Sequence, residues 1–104
     1  MQTIIIVLNP GKMENTDLDI RYALPERIEE MTGGLVKDNG YDYLVNNDLG
    51  IWLETEDSEK YVEDVISLIK SERILENDLS MACEIYISAG ECEEIDKCRR
   101  IYPV

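Results

Sequence analysis

The stretch Thr3-Ile4-Ile5-Ile6-Val7-Leu8 constrains the fold more than any other part of the chain. Five of these six residues are apolar and five are branched at Cβ, a combination that favours extended backbone. Successive strand side chains point to opposite faces, so a run without polar alternation must be covered on both sides. The stretch therefore predicts a strand in the middle of a sheet, ended by the turn residues Asn9, Pro10 and Gly11.

The rest of the chain supplies elements that could flank such a strand. Residues 12–19 are polar and without period, and predict a loop. Pro25 suits a first helical turn, so a helix is expected over 25–31, closed by Gly33 and Gly34. Asn39-Gly40, between residues 35–38 and 41–45, supplies the positive φ angles of a type I′ turn and predicts a hairpin there. A second turn at Asn46, Asn47 and Asp48 leads into a third strand of the meander over residues 49–54.

Cap candidates at residues 55–58 precede Val62, Val65, Ile66 and Ile69 at helical spacing, which predicts a helix ending between Ser71 and Glu76. Cys83, Ile85 and Ile87 alternate with Glu84, Tyr86 and Ser88 as a half-buried strand before Gly90. A short helix over 91–97 is expected last, with Cys92 and Ile95 on one side. The order describes one α+β domain over residues 1–104: a mainly antiparallel sheet of about five strands with two or three helices on one face. A ferredoxin-like arrangement is one version of it.

Charge carries the functional information. Ten Lys and Arg against 23 Asp and Glu leave a net charge of −13, more than solubility asks of a small domain. Residues 38–64 hold −8 and residues 74–96 hold −7, while Lys97, Arg99 and Arg100 gather near the end. Such a field disfavours nucleic acid and anionic membranes as direct partners and attracts basic proteins. No apolar run approaches the roughly 20 residues that cross a bilayer, and no basic segment precedes residues 4–8 as a signal peptide requires, so a cytoplasmic location is expected.

The chain has no histidine, which removes the commonest general base and every Ser/His or Cys/His arrangement. Neither phosphate-loop spacing occurs around Asn9 to Lys12. Cys83, Cys92 and Cys98 form no Cys-x-x-Cys pair and are expected as reduced thiols rather than zinc ligands. The densest acids, Glu91, Glu93, Glu94 and Asp96, lack the calcium-loop spacing and read as a solvated helix start. No catalytic residue, metal site or cofactor is expected.

If Leu49, Ile51 and Leu53 face the core, alternation sends Trp52 and Glu54 to the other face, and Glu84 and Tyr86 with them. Asp42 joins them in the simplest register, and Asp38, Asp48, Glu56 and Asp57 lie in the neighbouring turns. Aromatic side chains among carboxylates suit a protein partner with a basic surface.

The acidic α+β chain, with its stretches 38–44 and 49–54 running into an acidic helix over 55–63, resembles the immunity proteins of bacterial toxin systems. The resemblance is one of general type and carries over no functional residue. It implies a small protein that binds and neutralises a toxin domain, often a basic nuclease. Beside it stand an acidic adaptor or regulatory protein, including a mimic of nucleic acid with carboxylates in place of phosphates, and a carboxylate-based metal-dependent enzyme.

Overall fold

The computed structural model describes residues 1–91 and 94–103. Residues 3–8 lie within the first strand, β1 (Gln2–Leu8), and all six are buried. The sheet has five strands in the order β2-β3-β1-β4-β5, so β1 is central and every pairing is antiparallel. The others are β2 (Val36–Tyr43), β3 (Leu49–Thr55), β4 (Cys83–Ser88) and β5 (Arg99–Tyr102). Helix α1 (Ile20–Met31) joins β1 to β2, and α2 (Ser58–Ser71) joins β3 to β4. Each helix links two strands that have one other strand between them in the sheet, which is the split connection of a ferredoxin-like unit, with β5 added beyond β4.

One core holds the two helices against one face of the sheet. Ile4, Ile6 and Leu8 of β1 meet Ile51 and Leu53 of β3, Ile85 and Ile87 of β4, and Ile20, Leu24, Ile28, Val62, Val65, Leu68 and Ile69 of the helices. The spacing of four between Ile20, Leu24 and Ile28 places them on one stripe of α1. Asp57 caps α2 by accepting from the Lys60 N–H at 3.1 Å. Gly33 and Gly34, at φ of 64° and 83°, close α1, with the Gly34 N–H bonded to the Glu29 carbonyl.

Three expectations are corrected. Asn39-Gly40 makes no hairpin: residues 36–43 are one strand along β3, and the register shift between Asp38 and Tyr41 makes the pair a bulge with Gly40 at φ 99°. A separate hairpin of 35–38 with 41–45 would bury little, whereas β3 offers a full-length partner. The hairpin turn is instead the second one expected, where the Leu44 N–H bonds the Asp48 carbonyl and Asn47 adopts φ 68°.

Helix α1 begins at Ile20, five residues before Pro25, which lies buried inside it. Proline removes only the bond to the Arg21 carbonyl there, and burial of Ile20 and Leu24 outweighs that loss. Of the last helix the described residues form a 3₁₀ turn at Ile95–Lys97, and Cys92 and Glu93 lie outside the described residues. The chain then forms β5, which pairs with β4 and buries Tyr102.

Candidate interaction surface

The second face of the sheet carries no helix among the described residues, and its side chains follow from the register. Its middle row runs Trp52, Ile5, Tyr86, Arg100 across β3, β1, β4 and β5. One flanking row is Asp42, Gly50, Val7, Glu84, and the other is Lys37, Glu54, Thr3, Ser88. Ile5 has no exposed surface although no helix among the described residues lies over it, and its register neighbours Trp52 and Tyr86 stand on either side. Burial pushes the Tyr86 hydroxyl pKa up, and the Glu84 carboxylate adds to that shift.

Gly50 sets the attitude of the indole. A Cβ at position 50 would lie 2.6 Å from Cζ3 of Trp52, so the ring rests on the glycine and β3. The ring then helps to line a cleft of about 720 Å³ whose other walls include Asp42, Glu54, Glu91, Glu94 and the Asn39-Gly40 bulge. Lys37 is the cross-strand neighbour of Glu54 and the cation nearest to it by register.

The basic end of the chain closes on acids. Lys97 pairs with Glu94 at 3.1 Å, Arg99 with Glu59 at 2.7 Å and Arg100 with Glu84 at 3.2 Å. These exposed pairs are worth little in stability. Arg100 offsets Glu84 on the β4 side of the face, whereas Arg99, opposite Ile87, pairs on the helix side and Lys97 meets Glu94 at the rim of the cleft, so that Asp42 and Glu54 have no part in these three pairs. The surface is thus polarised: aromatic in the middle, acidic toward β2 and β3, and locally neutral toward β5.

Five of the nine residues expected at a binding surface share this face: Asp42, Trp52, Glu54, Glu84 and Tyr86. The other four do not. Asp38 stands opposite Leu53, on the helix side of β2, with its N–H bonded to Glu29. Asp48 accepts from Asn46 Nδ2 within the hairpin turn. Glu56 and Asp57 lie at the entry to α2, where Asp57 is spent as its cap. Glu59, Glu63 and Asp64 follow on that helix, so most of the acidic block over 38–64 lies off the open face.

The sequence reading also missed a second aromatic group on the helix side of β2. Tyr22 of α1 meets Tyr41 edge to face at 5.9 Å, and Tyr41 meets Tyr43 at 6.3 Å. The Arg21 guanidinium lies over Tyr22 at 4.7 Å and Tyr41 at 5.1 Å, and its buried Nε has no hydrogen-bond partner. A hydrogen bond from Arg21 holds the Tyr22 hydroxyl below its usual pKa. The alternation of Tyr41 and Tyr43 was visible in the sequence, but their proximity to α1 required the fold.

Among the described residues no three Cys, Asp or Glu side chains are grouped as a metal site needs, and no helix is long and apolar enough to cross a membrane. Cys83 is a buried thiol with its pKa pushed up to about 12, chiefly by burial. No protein-family model, curated protein or solved structure matches the chain.

Proposed function

We propose that the protein is an acidic binding protein that docks a basic protein partner on the open face of its sheet. Its best-fitting role is that of an immunity protein, neutralising a cationic toxin domain of nuclease type by covering its active site. The observation that carries this reading is the Trp52-Ile5-Tyr86 row with Asp42 and Glu54 beside it, on a face that no helix covers among the described residues. Aromatic centres with charged rims are where association energy concentrates, and the net charge of −13 would speed encounter with a basic surface. Occlusion asks no chemistry of the chain, which fits the absence of histidine. A nucleic-acid mimic would want its carboxylates in rows, whereas here the face places aromatics at the centre and acids at one side.

The test is an affinity capture from the source organism at low and high salt, comparing wild type with a Trp52→Ala, Glu54→Lys variant and with Glu54→Lys alone. The melting curves of both variants are checked first, because Trp52 also covers Ile5. Recovery of a basic nuclease domain, reduced by salt and by the Glu54 change, is expected. Equal capture of that domain by wild type and variants would place the binding surface elsewhere.

A further inference from the structure

Resting on the docking reading above, we infer that the Trp52 cleft is built to receive one arginine side chain of the basic partner, with its guanidinium stacked on the indole. One side of the indole rests on Gly50, and the side chain lines an open cleft. Among the described residues three Lys or Arg side chains lie over tyrosine rings, in the four pairs Arg21 on Tyr22, Arg21 on Tyr41, Lys60 on Tyr61 and Lys70 on Tyr102, and none lies over Trp52. The strongest cation-binding ring in the protein is therefore left to an outside cation.

Charge selects the occupant. Asp42 and Glu54 belong to the rows on either side of Trp52, so a cation on the ring has a carboxylate toward each flank. Arginine fits better than lysine for two reasons. Its planar guanidinium can stack on the ring while its edge donates to carboxylates in the ring's surroundings, and it sheds water more readily than an ammonium. The bulge at Asn39-Gly40 faces Trp52 across the β2–β3 pair and carries no bulky side chain at Gly40, which keeps that wall of the cleft open.

Trp52 is the chain's single tryptophan, so its indole N–H gives one unambiguous magnetic-resonance signal. The full chain is titrated at low salt with a triarginine amide, and separately with trilysine amide and triglutamate. We expect a saturable shift of the indole signal with triarginine, about three- to tenfold weaker binding of trilysine, and no response to triglutamate. Gly50→Ala, which displaces the ring but leaves every charge in place, should weaken triarginine binding by a similar factor, and Asp42→Asn with Glu54→Gln should weaken it as well. Equal affinity for triarginine and trilysine, or a Gly50→Ala protein that binds as wild type, would overturn the inference.

The capture experiment separates this inference from the reading beneath it. If the basic partner is still retained through Glu54 while triarginine leaves the indole signal unmoved, the arginine seat is wrong and the docking face stands. If triarginine seats on Trp52 but capture of the partner ignores the Trp52 and Glu54 changes, the docking reading fails and takes the partner's arginine with it.

Discussion

At the scale of single residues, Asn77 is a buried polar side chain that holds two loops together. It has no exposed surface, its Nδ2 donates to the carbonyls of Asn15 and Leu75, and its Oδ1 accepts from the Asn15 N–H at 2.7 Å. Replacing it with Ala would leave the Asn15 groups without partners, and the expected loss is about 2–4 kcal/mol by urea denaturation. Cys83 makes a pH-dependent contribution of definite sign. Its thiol pKa rises to about 12 in the fold, so its stabilising term is complete below the unfolded thiol value and is lost as pH rises toward 12. Between those values the loss is about 1.4 kcal/mol per pH unit. Melting curves from pH 8 upward should therefore fall more steeply for wild type than for Cys83→Ala, and parallel curves would mean that the thiol is not desolvated. Asn77 did not stand out in the sequence, because its role depends on what the fold places around it, whereas alternation over residues 83–88 had put Cys83 on the buried side.

At the scale of elements, legibility followed local physics. The strands β1, β3 and β4 and the helix α2 were readable because their apolar periods agree with their burial. The placement of Trp52, Glu54, Glu84 and Tyr86 on the open face was readable for the same reason, since alternation alone puts them opposite the core. The start of α1 was hidden by Pro25, and β5 by its two arginines, which pair with Glu59 and Glu84 only in three dimensions. The edge strand β2 misled most, because Asn-Gly is a turn signal wherever it occurs and only β3 converts it to a bulge. That edge has its own protection. The N–H groups of Asp38, Gly40 and Tyr43 bond the carboxylates of Glu29, Asp38 and Asp42, which blocks donors that a foreign strand would use. A Glu29→Ala, Asp38→Ala, Asp42→Ala variant frees these donors and removes three charges, and it should self-associate in sedimentation experiments at concentrations where wild type does not. A triple variant as dispersed as wild type would mean that the bulge alone protects the edge.

At the scale of the whole molecule, two electrostatic effects of opposite sign respond to salt. The ion pairs among the described residues, Arg27–Glu72, Arg73–Glu14, Lys97–Glu94, Arg99–Glu59 and Arg100–Glu84, stabilise the fold and weaken on screening. All have both partners more than a third exposed, so each is worth about 0–1 kcal/mol at most. Against them stands the repulsion among the excess acids of a −13 chain, which folding concentrates and salt relieves. The excess of charge outnumbers the pairs, so raising the salt from about 0.01 M to about 1 M, where the Debye length falls from roughly 30 Å to roughly 3 Å, should raise the melting temperature. Chloride salts are the right choice, because sulfate would stabilise by exclusion alone. Capture of a basic partner should weaken over the same range, since there the two charges attract. Opposite slopes for stability and affinity would identify the acidity as a feature that costs folding energy and serves association. A melting temperature that falls with salt would instead assign the charge to the fold's own ion pairs and remove the electrostatic support for a basic partner.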